Sequence, residues 1–318
     1  MAYDNVLVTG GAGFIGSHTV DALLARGAKV WVMDDLSTGA LLNLKAWKHD
    51  SKLHFTKASV TNRRTVDSLV RKVDAIMHLA AVVSPRVSML RPELTARVNV
   101  KGTLNLLQAA VASGVHRFVY ASSAAVYGNS ERVPVPENAP LQPMSPYGAS
   151  KLAAEKYCDV YCRTHGLETV SLRYFNVYGA RQGSNPYSGV IAIFASKLRK
   201  GQRPIIYGDG NQTRDFIHVS DVIQANLLAL EAKTRAGEVV NIGTGQQTTV
   251  RELFDLMAQL INPSTRPVLG PSRPGDIYRS CADISKAKNL LGFQPKISIR
   301  SGLSLLLEEP GYSTSSPS

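Results

Sequence analysis

Apolar residues in the first half of the chain come in short runs separated by helical periodicity. Residues 5–9 (NVLVT), 29–34 (KVWVMD), 53–57, 74–79 (DAIMHL), 116–122 (HRFVYAS) and 168–174 read as strands. Each run is bounded by turn residues and is too short for a helix. Between them, helical patterns run from the glycine-rich turn to about Arg26, over 65–71, over about 94–113 and over 147–165. Gly27, Gly114 and Gly166 stand where helix stops are expected. Apolar strands that alternate with helices predict an α/β fold with a doubly wound parallel sheet of the Rossmann type. After Asn176 the pattern changes. Gly, Pro and Asn become frequent, and short helices (190–200, 219–232, 249–261) mix with short strands (205–207, 239–242). This predicts a second, smaller α/β domain. The expected division is 1–175 and 176–305, with about 214–245 returning to the first domain and 306–318 forming a flexible tail.

Composition narrows the class. The chain has 318 residues, 44% hydrophobic and 19% charged, which suits a globular protein with a large core. No apolar stretch reaches the length needed to span a bilayer, and the short polar start does not resemble a signal peptide. No membrane partner is therefore expected. Three cysteines, Cys158, Cys162 and Cys281, make no disulfide framework and no zinc-ligand spacing, so no metal is expected and a cytoplasmic setting is. The net charge is +12. It is shared by both halves without a block of like charges and without an aromatic-plus-basic motif, so nucleic acid is not an expected partner.

Two patterns carry chemistry. Gly10, Gly13 and Gly16 lie between a strand and a helix, where the backbone can approach a pyrophosphate and the helix N-terminus offers N–H donors. Asp34 ends the next strand, where its carboxylate can accept ribose hydroxyls and repel a 2′-phosphate; Asp35 adds to that repulsion. NAD is favoured over NADP. The second pattern is Tyr147 and Lys151, four apart at the start of a helix and so on one face. An ammonium near a phenol stabilises the phenolate, which suits a general base. Ser122 and Ser123 end the fifth strand, where open α/β sheets bind ligands.

These motifs resemble the extended short-chain dehydrogenase/reductase family, and within it the UDP-glucose/UDP-galactose 4-epimerases. The resemblance spans about 4–303. It is carried by TGGAGFIGSH (9–18), DDLSTG (34–39), HLAA (78–81), NVKGTLNLL (99–107), ASSAAVYG (121–128), SPYGASK (145–151), RYFNVYG (173–179), YGDGNQTRDFIHVSD (207–221) and RPGDIYRSCADISKA (273–287). It implies that Ser123, Tyr147 and Lys151 are catalytic, with Ser122 as neighbour. It implies NAD contacts from Gly10, Gly13, Phe14, Ile15, Gly16, Asp34, Asp35, Ser37, Thr38, Gly39, Ser59, Val60, Leu79, Ala80, Ala81 and Asn99, together with Tyr147 and Lys151. His78 is assigned no proton transfer. Implied UDP-sugar contacts are Ser84, Ser122, Ser123, Asn176, Ser188, Gly189, Val190, Tyr207, Arg214, Arg273, Asp276 and Ser280, the two arginines facing the diphosphate. A homodimer through helices near 100–113 and 148–164 is also implied, which would put Cys158 and Cys162 near the interface.

The implied reaction inverts C4 of a UDP-hexose. Tyr147 takes the proton of the 4-hydroxyl while hydride passes to NAD, the 4-keto sugar turns, and hydride returns to the other face. Dehydratases of the family place an Asp-Glu pair directly after the catalytic hydroxyl residue, and the decarboxylases keep a Glu there. This chain has Ala124 and Ala125, whose methyl groups exchange no protons. Asn176 and the segment after it resemble the neutral-sugar type and not the glucuronate epimerases. Ser280 aligns with a bulky tyrosine of epimerases restricted to glucose and galactose, so UDP-GlcNAc and UDP-GalNAc are expected substrates alongside the plain sugars. Ser59 stands where the family commonly has Asp against adenine, which predicts looser NAD retention.

Overall fold

The structure is a computed structural model that describes residues 3–183, 189–234, 237–272 and 277–308. The chain begins β1 (Asn5–Thr9), α1 (Phe14–Ala25), β2 (Lys29–Asp34), β3 (Leu53–Lys57), α2 (Arg63–Val70) and β4 (Ala75–His78). It continues through α3 (Pro85–Leu90), α4 (Pro92–Ala96), α5 (Gly102–Ala112), β5 (Arg117–Ser123), α6 (Pro146–His165) and β6 (Glu168–Tyr174). β1, β2, β4 and β5 are mostly buried and largely apolar because helices cover both sides of the sheet, while β3 is half-buried.

β1 to β6 lie in one sheet with a seventh strand, β11 (Glu238–Ile242), in the order β11-β6-β5-β4-β1-β2-β3. All six pairings are parallel. Strand order reverses between β1 and β4. The loops leaving their carboxyl ends diverge there and open a crevice, the place where such sheets bind ligands.

Between β6 and the end of the described chain come β7 (Asn176–Tyr178), α7 (Val190–Arg199), β8 (Ile205–Tyr207), β9 (Thr213–Arg214), β10 (Phe216–His218) and α8 (Val219–Glu231). After β11 follow β12 (Thr248–Thr249), α9 (Val250–Ile261), β13 (Val268–Gly270), α10 (Ser285–Leu291) and α11 (Ile299–Glu308). The short strands form two-stranded pairs: β7 with β10, β9 with β12, β8 with β13. Ile191, Phe194, Leu198, Phe254, Met257 and Leu303 centre a separate apolar cluster on this side. α8 instead packs against α1 on the large sheet.

Two details are added. The helix expected over 94–113 runs from Pro92 to Ala112 but changes pitch inside: α4 ends at Ala96, Arg97–Lys101 widens into a π-turn, and α5 starts at Gly102. The turn carries Asn99 inward. Gly102 follows because a Cβ there would lie 2.4 Å from Val60 Cγ2. Residues 306–308, expected in the tail, belong to α11, and Leu306 is buried. No described helix is long and apolar enough to cross a membrane.

Candidate active site at the sheet switch point

The loop after β1 is built on close approaches. Gly10 has φ +69°, and a Cβ there would lie 2.8 Å from the Ala80 amide nitrogen. A Cβ on Gly16 would lie 2.0 Å from Gly10 O, so only glycine lets α1 start this close to the loop. Gly13 differs: a Cβ there would meet only Gly10 O, at 3.2 Å, leaving room in front of the helix. No side chain caps α1 and no acid sits in its first turn, so Phe14, Ile15 and Gly16 begin a helix end suited to an anion.

Asp34 is buried beside this loop. Its Oδ2 accepts from Ala12 N (3.0 Å) and its Oδ1 from Leu36 N (2.8 Å). Each oxygen keeps a second lone pair for a ribose hydroxyl. Gly39 packs on the same carboxylate, and a Cβ there would be 3.0 Å from Asp34 Oδ2. Asp35, Ser37 and Thr38 lie outside on the surface, with Asp35 Oδ1 accepting from Ser37 N. Ser59 Oγ accepts from Thr61 N and Thr61 Oγ1 at the end of β3, and Val60 beside it is core.

On the other side of the switch point, Leu79 N and Ala80 N both donate to Thr9 Oγ1 at 3.2 Å. Thr9 Oγ1 in turn lies 2.7 Å from His78 Nδ1, and His78 Nε2 lies 2.9 Å from Thr103 Oγ1. Thr103 gives its own proton to Asn99 O (2.6 Å). It must therefore accept from His78, which fixes the Nε2–H tautomer and leaves Nδ1 as acceptor. Burial, helped by the Lys151 charge, lowers the His78 pKa to about 3. His78 is thus a neutral structural link, and its neighbours Leu79, Ala80 and Ala81 wall the crevice.

The catalytic candidates meet at the carboxyl end of β5. Alternation along β5 sends Ser122 and Ser123 to opposite faces. Ser123, the last strand residue, accepts from Ala125 N (3.2 Å) and has its hydroxyl beside the Tyr147 phenol. Burial raises the Tyr147 pKa and the Ser123 hydroxyl opposes that rise. Lys151 is 3% exposed, donates to Ala121 O (2.8 Å) and stands 6.0 Å from the Tyr147 ring centre. Burial lowers its pKa to about 7. Gly148 lets the helix press onto the turn after Ser123, since a Cβ there would lie 2.6 Å from Ala125 O. Asn99 reaches the same helix, donating to Ser150 Oγ at 2.9 Å.

Ser122 does not join this group. Its hydroxyl donates to Glu155 Oε2 (2.8 Å), in a buried network the sequence did not disclose. Arg173 forks onto Glu155 through Nε (3.0 Å) and Nη2 (2.5 Å) and reaches Tyr127 OH and Glu137 O through Nη1. Tyr127 OH passes to Asn241 Oδ1 at 2.6 Å. The network ties α6, β5, β6 and β11 together one helical turn beyond Lys151. Cys158 and Cys162 are likewise buried, as free thiols.

The sugar-side candidates lie on shorter pairings. Asn176 is exposed at the start of β7, and its N–H donates to Asp215 O. Gly189 precedes α7 and Val190 begins it. Tyr207 ends β8, half-buried. Arg214 pairs with Thr248 across β9 and β12. Thr213 N donates to Tyr278 O (2.9 Å), and Ser280 N donates to Thr213 O (3.2 Å), so the strap carrying Ser280 lies against the strand carrying Arg214. Buried Asp215 fastens it further, accepting from Thr244 N, Gly245 N and Ala282 N. Ser84 caps α3, its Oγ accepting from Val87 N. Ser188, Arg273 and Asp276 lie outside the described residues.

The family model for the NAD dependent epimerase/dehydratase family matches residues 6–243. The chain belongs to that family. It is 39% identical over 304 residues to the UDP-glucose 4-epimerase of Mycolicibacterium smegmatis, covering 95% of this chain and 97% of the relative. Among solved structures it resembles the UDP-glucose 4-epimerase of Thermotoga maritima with UDP-glucose, at TM-score 0.91 and 40% identity over 96% of this chain and 97% of that one. It also resembles the UDP-N-acetylglucosamine 4-epimerase of Methanobrevibacter ruminantium M1 in complex with UDP-N-acetylmuramic acid. There the TM-score is 0.90 and the identity 36%, over 95% of this chain and 97% of that one. The family's cofactor, NAD, suits the glycine loop, the uncapped α1 and the paired Asp34 described above.

Proposed function

We propose that this enzyme inverts C4 of a UDP-hexose through a transient 4-keto sugar. The observation that carries the reading is the corner at the end of β5. Buried Lys151 stands 6.0 Å from the Tyr147 ring centre, the Ser123 hydroxyl adjoins the phenol, and the turn after Ser123 holds Ala124 and Ala125 and no acid. Without a carboxylate there, that turn offers no group to move a C6 proton.

Bound NAD supplies the hydride acceptor and, once reduced, the donor. The protein handles the proton. Tyr147 accepts it from the 4-hydroxyl, with Ser123 bridging phenol and sugar, and returns it after the keto sugar has turned. The Lys151 ammonium favours the phenolate, and its pKa near 7 means that this charge is held against a burial cost. A dinucleotide's positive nicotinamide would act in the same direction as Lys151 on the phenol. Loop residues from Gly10 to Gly16 would hold the pyrophosphate, Asp34 the adenosine ribose, and Leu79–Ala81 the nicotinamide side.

On the sugar side, Asn176, Gly189, Val190, Tyr207, Arg214, Arg273, Asp276 and Ser188 are proposed to hold UDP. The 1–175 segment would be the NAD unit and 176–305 the UDP-sugar unit, with about 214–245 returning to the first, as β11 in the large sheet and α8 against α1 support. Ser280 leaves room at C2, so the acetylated pair is proposed as substrate with the plain pair. A homodimer through α5 and α6 is proposed from Tyr157 and Val160, apolar and each 40% exposed on α6. The buried free thiols suit a reducing cytoplasm.

The test is incubation with UDP-GlcNAc and, separately, UDP-glucose, followed by NMR of the anomeric region and absorbance near 340 nm. The C4 epimer should appear in both without net absorbance change. Steady formation of reduced NAD with sugar would show a net dehydrogenase instead.

A further inference from the structure

The first turn of a helix leaves N–H groups without partners inside the helix. In α6 they are nearly all met locally: Pro146 has none, Gly148 N donates to Ser145 Oγ (3.2 Å), and Ala149 N to Ser145 O (2.9 Å). Tyr147 N is the exception. It donates to Ser88 Oγ (3.0 Å), a side chain from α3 that lies 59 residues earlier. Ser88 is 0% exposed, and its own proton goes to Pro85 O at 2.6 Å. Its oxygen is therefore left as an acceptor aimed at the tyrosine backbone.

The other end of the same residue is also held. Tyr147 O accepts from Ser150 Oγ (2.7 Å), and Ser150 Oγ accepts from Asn99 Nδ2 (2.9 Å). Asn99 at the same time accepts from Val82 N (2.8 Å) and donates to Val82 O (3.1 Å). Both Ser88 and Val82 belong to the stretch that leaves β4, walls the crevice through Leu79–Ala81 and caps α3 with Ser84.

We propose that Ser88 and Ser150 clamp the backbone of Tyr147 from both sides and act as positioning residues for its phenol, locking the base to the 79–88 segment. The phenol and the crevice wall then keep one register while the substrate turns. A side chain that reaches a proton within hydrogen-bond distance loses rate steeply when its anchor shifts. This inference rests on the reading of Tyr147 as the proton acceptor, and its test separates the two.

The full-length protein is labelled with 15N-tyrosine, and the Tyr147 amide is assigned with Tyr147→Phe. In Ser88→Ala the Tyr147 amide should exchange about tenfold faster, the scale of one net hydrogen bond. On UDP-galactose, kcat should fall about tenfold or more with KM changed less than about threefold. The acid limb of the kcat profile should move to higher pH, because a phenol drifting from Lys151 and Ser123 ionises less readily. Ser88→Thr keeps the oxygen and should restore all three. Ser150→Ala, which leaves Ser88 in place, should give the same kcat and pH signature and stands in if Ser88→Ala does not fold. Unchanged Tyr147 exchange in Ser88→Ala overturns the clamp, as does a lower Tm with parental kcat and pH profile. If the parent epimerises no UDP-hexose, the functional reading fails, and the amide exchange still decides the clamp.

Discussion

The proton-handling corner and the sugar-side surface are built differently. Lys151, Asn99, Glu155 and Arg173 are almost wholly buried, and each is held by groups from two or more elements of the large sheet and its helices. Asn176, Tyr207, Arg214 and Ser280 are exposed or half-buried, on strands of two or three residues and on a strap. The chemistry common to a family is thus placed where side chains cannot move without breaking several bonds. If the second group selects the sugar, as proposed, that selection sits where a single substitution costs little stability.

That contrast can be broken from the chemical side first. Tyr147→Phe removes the proton acceptor and keeps the ring, so kcat should drop about a thousandfold with UDP-sugar affinity nearly intact. Stopped and steady-state turnover together with calorimetric binding check it. Glu155→Ala strands the Arg173 charge in the core. Breaking a buried pair from one side costs about 3–5 kcal/mol, so urea denaturation should show that loss, with any fall in activity secondary to it.

Lys151 gives a pH signature. Its pKa falls from 10.5 to about 7 on folding, so between those values the unfolded chain binds more protons than the folded one. Stability should therefore rise with pH across that window, with a slope from this group of at most about 1.4 kcal/mol per pH unit. Lys151→Met should remove the rise and be more stable than the parent at pH 6.5 while losing turnover. Chemical denaturation of both proteins at pH 6.5 and 9 measures it.

On the sugar side the effects should be smaller and selective. Ser280→Tyr should lower kcat/KM for UDP-GlcNAc about tenfold or more, since filling a site sized for an acetyl group costs about 1–3 kcal/mol, and should spare UDP-glucose. Equal losses on both sugars would remove Ser280 from the gate. Ser59→Asp should slow NAD loss on dialysis a few-fold, as a charged acceptor replaces a hydroxyl already engaged with Thr61.

Legibility in the sequence followed the same divide. β1, β2, β4 and β5 were readable because strands covered on both faces carry short apolar runs. Tyr147 and Lys151 were readable because helix spacing puts them on one face. β9 and β12, two residues each, leave no periodicity to detect. The π-turn at Asn99 left no mark in the sequence, and the groups its side chain bonds, Val82 and Ser150, lie 17 and 51 positions away. Glu155 and Arg173 looked like ordinary helix and strand charges until the fold brought them together. Ser122 was placed with the substrate by adjacency to Ser123, and strand alternation turned it toward Glu155 instead.

The central claim is that one residue handles the proton while the hydrogen at C4 leaves and returns within the same enzyme complex. Conversion of UDP-[4-2H]galactose in ordinary water tests it most directly. The account predicts UDP-glucose with deuterium retained at C4, at a rate cut about a thousandfold by Tyr147→Phe. Loss of the label to solvent during conversion, or parental turnover in Tyr147→Phe, would contradict it.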